Sequence, residues 1–299
     1  MPPTEQDTSA RTKTTFPWAL SRGRRAAITA LTVTAVLTGT ALFGAGQATA
    51  ERSAPGTDRE IPNIDKVKEQ IADYYGDIET PDGEHYASPK SDYAKQVRGI
   101  AADAQRDLKR AMAKEHEKSG DSAKSGAGAA GSGGSGHGHK PAIVMDVDDT
   151  TLLTYNFERQ IGYNFDPKLQ DEYLRTTDMD AVFGMKKLVN WAHSSGITVF
   201  FLTGRAEHQR DWSVRNLKNV GYKAPVDAKH FYLKDKENPP PYLECGSDCT
   251  TVEYKSGTRK HFESEGFRIL ANFGDQFSDL KGGHAERTYK LPNPMYFLP

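Results

Sequence analysis

The sequence predicts an α/β fold: a parallel sheet with helices on both faces, preceded by a helical N-terminal extension. Three observations predict it. From Ala142 onward, short apolar runs alternate with segments of helical period, the pattern of strands joined by crossover helices. Polar residues follow directly behind several of those runs, where open parallel sheets hold their ligands. A Gly/Ser/Ala-rich stretch, residues 119–140, separates this region from an amphipathic helical segment.

Residues 1–50 have the make-up of an export signal. Arg22, Arg24 and Arg25 precede an uncharged stretch from Ala26 that ends in Ala48-Thr49-Ala50. A basic n-region, an apolar h-region and a small-residue cleavage site predict a signal peptide removed near Ala50. The mature chain would then be secreted and touch the membrane only during export. The alternative is an uncleaved anchor displaying the protein at the cell surface. The whole chain carries a formal net charge of −1. Removing residues 1–50 takes five of 39 Lys/Arg and two of 40 Asp/Glu, which leaves −4. Neither balance suits a nucleic-acid polymer as partner.

Residues 51–118 read as a leader and a helical extension. Ile64, Val67, Ile71 and Tyr74 recur at helical spacing. Tyr93, Val97, Ile100, Ala104, Leu108 and Ala111 do so again over about 91–118. The linker at 119–140 cannot bury a core, so His137 and His139 read as solvated rather than as a metal site.

Residues 141–299 form the core region. Ala142 to Met145 is a buried strand. Val182, Met185, Leu188, Val189 and Ala192 mark a helix stopped by Gly196. "ITVFFLT" is the second strand, and a helix over about 207–220 ends at Gly221. "HFYLK" is the third strand, "SGTRKHFESEGF" a short helix stopped by Gly266, "RILANFGD" the fourth strand and "TYKLP" a fifth. Cys245 and Cys249 lack the nearby His or Cys that a zinc shell needs. In an oxidising compartment they predict a small disulfide loop.

The chemistry-bearing residues lie at strand ends. The first strand runs into "DVDDT", the second into "TGR" and the fourth into "GDQFSD", and Lys255 opens the helix before the fourth. A D-x-D-x-T pattern is common by itself. Its weight comes from following an apolar strand and from the polar groups that appear in order at later strand ends.

The set "DVDDT", "LTGR", "YKSGTRK" and "GFRILANFGDQFSDL" resembles the haloacid dehalogenase (HAD) superfamily. Within it, the sequence is most like the secreted acid phosphatases of subfamily IIIB, a group of class B-type enzymes and vegetative storage proteins. The likeness runs from about Ile61 onward. It implies a Rossmann-like HAD fold with a small cap or none, and an exported Mg2+-dependent phosphomonoesterase acting on small phosphomonoesters. Asp146 would be the nucleophile that forms an aspartyl-phosphate. Asp148 would protonate the leaving alcohol and then deprotonate water. The implied Mg2+ ligands are the Asp146 carboxylate, the Asp148 backbone carbonyl and Asp275, with Asp279 orienting that shell. Lys255 would offset the charge of Asp146 and of the phosphoryl oxygens. Thr203 would donate to the phosphate, and Gly204 would let the backbone approach it closely.

The remaining residues are read as follows. Thr150 would buttress the turn, and Asp149 reads as solvated or as a helix cap. A plain helix cap is also open for Asp279. Arg205 would contact substrate or pair with an acidic neighbour. Lys234 is the rival to Lys255. Tyr155 and Phe157, from the aromatic run that also holds Tyr163 and Phe165, would form a partial cap. Two further functions stay open: phosphotransfer from the same intermediate, and a catalytically weak storage or binding protein on the same fold.

Overall fold

In a computed structural model, residues 62–124 and 139–298 are described. The expected signal at 1–50 lies outside them, as do the rest of the leader through residue 61 and residues 125–138 of the linker.

Helix α1 (Ile64–Tyr75) leads through a hairpin of β1 (Ile78–Glu79) and β2 (His85–Tyr86) into helix α2 (Asp92–Lys124). The predicted face of α2 is the buried one, with Tyr93, Val97, Ala101, Ala104 and Leu108 inside. Ile100 and Ala111 are only half-buried at its margin. The helix runs past the expected end at Lys118 to Lys124. Gly120 does not stop it, because one glycine costs a helix only about 1 kcal/mol relative to alanine.

Strand β3 (Lys140–Met145) opens the main sheet. An antiparallel ribbon follows, β4 (Leu152–Leu153) with β5 (Asp180–Ala181), enclosing helices α3 (Tyr155–Gln160) and α4 (Pro167–Thr176). Helix α5 (Met185–Ser194) starts later than the periodicity suggested, because Gly184 at φ 83° turns the chain ahead of it. Strand β6 (Thr198–Ala206), helix α6 (Arg210–Asn219) and strand β7 (Phe231–Lys234) complete one side of the sheet. Helix α7 (Thr251–Ser264), strand β8 (Phe267–Gly274), the one-turn helix α8 (Phe277–Leu280) and strand β9 (Thr288–Lys290) complete the other.

The sheet has order β7-β6-β3-β8-β9 and every neighbouring pair is parallel. Side chains alternate between its faces. Ala142, Val144, Phe200, Leu202 and Ile269 point to one face and pack with Tyr254 and Phe262 of α7. Ile143, Met145 and Phe201 take the other, where α2 and α5 pack on each other and on β8 and β6. Cys245 and Cys249 are disulfide-bonded around a single 3-10 turn, with Cα atoms 5.0 Å apart. Cys249 and Leu243 join the core on the α7 face.

Tyr155 and Phe157 are core residues, not the partial cap expected of them. Tyr155 stacks on Tyr75 at 4.4 Å and Tyr75 meets Tyr93 at 4.3 Å, which ties α3 to α1 and α2. Phe157 packs on Tyr173 of α4 at 5.2 Å. Both rings are buried, each against a different partner, whereas Phe165, beyond the helix, is exposed. Among the described residues no helix is long and apolar enough to cross a membrane.

Candidate active site

The strand register brings the polar strand ends level. Met145 lies opposite Phe201 on β6 and Phe273 on β8, and the Asp146 N–H donates to the Phe273 carbonyl at 3.0 Å. Asp146 therefore emerges beside the start of Thr203-Gly204-Arg205 and beside Asp275. Strand alternation sends its side chain to the face of Val144, the face that α7 covers.

Helix α7 supplies the cation. Thr250 and Glu253 form a capping box: the Glu253 N–H donates to Thr250 Oγ1 at 3.2 Å, and the Thr250 N–H to Glu253 Oε2 at 2.9 Å. The helix thus begins at Thr251, and Lys255 sits a full turn inside it rather than opening it. The signal was present in "TTVE", a Thr followed three residues later by Glu. Lys255 Nζ lies 2.5 Å from Asp146 Oδ1 and 2.5 Å from Asp279 Oδ1. Lys234 is turned elsewhere and donates to the Cys249 carbonyl at 2.7 Å.

Asp146, Asp275 and Asp279 are all buried, and one carboxylate oxygen of each lies within 4.8 Å of the others. Asp279 takes one of the two roles weighed for it, the helix cap, and pairs with Lys255 besides. Its Oδ2 accepts the Gln276 N–H at 2.8 Å and caps α8, while Oδ1 meets Lys255. Asp275 takes only neutral donors among the contacts described: Gln276 Nε2 and Asn293 Nδ2, each 2.7 Å from Oδ2, and Thr150 Oγ1 3.5 Å from Oδ1. Thr150 thus reaches across to the acidic cluster besides sitting in the turn.

The cluster holds more negative charge than its lysine offsets. Burial pushes Asp146 well above the carboxylate range, Lys255 opposes this, and Asp279, Asp275 and Asp148 add to it. Burial, with Asp279 and Asp149, raises Asp275 to about 7. Burial alone would lower the Lys255 ammonium, but the Asp146 and Asp279 carboxylates raise it overall, so it is the group that stays protonated. Three hard oxygen donors with a surplus of negative charge suit a small divalent cation such as Mg2+.

Asp148 stands apart from that cluster. Its carboxylate accepts a fork from Arg205, Nε at 3.0 Å and Nη2 at 2.6 Å. Arg205 is therefore the partner of an acidic neighbour, further fixed by Ser213 Oγ at 2.8 Å. The Asp148 side chain keeps 20% exposure, against 8% for Asp146 and 5% for Asp279. Thr203 is buried, and its Oγ1 accepts the Arg205 N–H at 3.2 Å. At Gly204 an added Cβ would meet nothing within 4 Å, so the protein itself does not demand glycine there.

Asp149 is neither solvated nor a helix cap. It is fully buried at φ 53°, and Thr154 occupies the cap position of α3. Its carboxylate accepts from Thr154 N at 3.1 Å, Thr154 Oγ1 at 2.6 Å and Tyr296 OH at 2.7 Å. A short polar side chain tolerates the left-handed region better than most. Sequence reasoning also missed Gln276, Asn293, Tyr296 and Arg259. The last is fully buried and donates to the carbonyls of Asp279, Lys281 and Gly283, which holds the loop after α8 in place. No periodicity or spacing marks an isolated Asn or Arg for such a role.

The family model described as HAD superfamily, subfamily IIIB (Acid phosphatase) matches residues 82–299. Curated relatives include Stem 28 kDa glycoprotein of Glycine max, 32% identical over 53% of this chain and 61% of its own length. Acid phosphatase 1 of Solanum lycopersicum is 36% identical over 52% of this chain and 58% of its own. Vegetative storage protein 1 of Arabidopsis thaliana is 29% identical over 52% and 55%. The chain thus spans about three-fifths of the first two relatives' length or slightly less. Among solved structures, the class C acid phosphatase from Bacillus anthracis superposes with a TM-score of 0.52 at 20% identity, covering 79% of this chain and 87% of that one. At that identity the likeness speaks for the fold.

Proposed function

Because the chain belongs to the acid phosphatases of subfamily IIIB of the HAD superfamily, we propose that it is an exported, Mg2+-dependent phosphomonoesterase acting on small phosphomonoesters. One observation carries the proposal: Asp146 is buried against Lys255 beside two further buried carboxylates. Burying three acids with a single cation is costly for a fold. A phosphoryl-transfer site has a use for them.

Asp146 attacks phosphorus, and the bond from phosphorus to the alcohol oxygen breaks as an aspartyl-phosphate forms. Asp148 gives its proton to the departing oxygen. It then takes a proton from water as that water attacks phosphorus, and inorganic phosphate leaves Asp146 free. The partial exposure of Asp148 supports this role, since the group must exchange protons with leaving group and solvent. Lys255 favours the ionised form of Asp146 and offsets phosphoryl charge, and Asp279 holds Lys255 in place. Thr203 and the backbone N–H groups after it would receive the phosphate oxygens. Asp146, Asp275 and the Asp148 carbonyl would hold Mg2+, which when bound supplies positive charge to the phosphoryl oxygens. The Cys245–Cys249 bridge supports export to an oxidising compartment. A mass beginning at Glu51 for the exported form would agree, and an intact N-terminus would favour the surface anchor.

The test is turnover of an aryl phosphate by the purified protein. Asp146→Asn is expected to abolish it, and EDTA to suppress it until Mg2+ is restored. Undiminished turnover by the variant would remove the mechanism. Alcohol products carrying phosphate would point to phosphotransfer, and a folded parent with no turnover to a storage or binding role.

A further inference from the structure

Asp275 is oriented by its chain neighbour and by a residue 18 positions further on. Two side-chain amides donate to its Oδ2, Gln276 Nε2 and Asn293 Nδ2, each at 2.7 Å. In both amides the oxygen is already committed to the C-terminal segment. Asn293 Oδ1 accepts the Met295 N–H at 2.9 Å, and Gln276 Oε1 accepts the Leu298 N–H at 3.1 Å. An amide whose oxygen is so held has only its NH2 to offer the carboxylate. With Oδ2 accepting two hydrogen bonds, Oδ1, which only the long 3.5 Å contact from Thr150 Oγ1 reaches among the contacts described, is the oxygen left for the acidic cluster. The same segment reaches the other side of the site. Asn293 Nδ2 lies 3.4 Å from Asp149 Oδ2, to which Tyr296 OH donates at 2.7 Å. Asp149 in turn adjoins Asp148 in the chain.

We propose that the segment from Leu291 to Leu298 is a strap that presets the divalent-cation site, with Asn293 as the positioning residue that turns Asp275 Oδ1 inward. The strap also explains why an acid belongs at position 149: it is the strap's second anchor. The inference rests on the cation role given to Asp275 above. Groups that orient a metal-binding carboxylate commonly change metal affinity by ten- to a hundredfold when removed.

The experiment is calorimetric titration of Mg2+ into the purified protein and its variants, without substrate. Asn293→Ala is expected to weaken Mg2+ binding about tenfold, while KM for an aryl phosphate at saturating Mg2+ stays within about twofold. Met295→Ala is the control, because it truncates a buried apolar side chain of the strap and keeps the backbone N–H that holds Asn293. It should lower thermal stability and leave Mg2+ affinity close to that of the parent. Should Asn293→Ala fail to fold, Asn293→Ser decides. It keeps an oxygen for the Met295 N–H and loses the nitrogen on Asp275, so the same weakening is expected. Unchanged affinity in a folded Asn293 variant, or equal weakening by Met295→Ala, overturns the strap. A parent that binds no Mg2+ sinks the cation reading first, and this one with it.

Discussion

At Glu158 a carboxyl group lies buried on α3, and burial, with the charge of Asp148, raises it to about 7 from an ordinary 4.5. The folded chain therefore keeps a proton there between about pH 4.5 and 7 that the unfolded chain has lost. More protons bound in the folded state means that stability falls as pH rises through that window. The shift corresponds to on the order of 3 kcal/mol. Glu158→Gln removes this dependence. Its urea midpoint, compared with that of the parent, should gain from about pH 4.5 to about pH 7 and level off above. A gap that does not change with pH would show that Glu158 is not the group responsible. Residues of this kind were the least legible in the sequence. Asp146, Asp148, Asp275 and Asp279 could be singled out because they follow strands in order, and Lys255 because "YKSGTRK" resembles the family pattern. Asp149 was misjudged because its neighbours, Thr154, Asn293 and Tyr296, meet it only in the folded chain.

Among the elements, the corner between β8 and α8 leaves the least room. A Cβ added at Gly274 would fall 2.3 Å from Asp279 Cβ and 2.6 Å from its Oδ2. Backbone φ is not the constraint there; space is. Gly274→Ala must push Asp279 away from Lys255 and from the Gln276 N–H. We expect at least a hundredfold loss of turnover and a destabilisation of about 1–3 kcal/mol, as for other overpacked sites. Wild-type activity in a folded Gly274→Ala protein would mean that Asp279 is not needed where it stands. The strands of the main sheet were legible, because buried parallel strands read as continuous apolar runs, whereas the two-residue strands of the antiparallel ribbons were too short to show a pattern. Helix starts were less so. Gly184 displaced the start of α5, and the capping box at Thr250 set that of α7. Both are local backbone effects that apolar periodicity does not register.

For the whole molecule, the linker joins two parts that share one core. Asp65 onward forms a single compact unit, and Tyr75 and Tyr93 from before the linker are buried against Tyr155 after it. Each such ring buries roughly 150–250 Å2, which at about 25 cal/mol per Å2 is several kcal/mol. Losing two of them rivals the net stability of a domain. A fragment starting at His139 should therefore fail to give a cooperative thermal transition, and a sharp one would show that the α/β region stands alone. The sequence marked both parts correctly as helical and as α/β. Two amphipathic helices need a partner surface, so their packing on the α/β region was to be expected, but periodicity does not say which residues of that region they meet.

The contacts that build the site also span long stretches of chain. Lys255 meets Asp146 across 109 residues, Thr150 meets Asp275 across 125, and Tyr296 meets Asp149 across 147. Contacts of such separation close late and slowly in folding. No partly folded species can carry the full constellation, so catalysis should be the last property regained after dilution from denaturant. Helical circular dichroism should recover ahead of turnover. Turnover would then serve as a clock for the final step of folding.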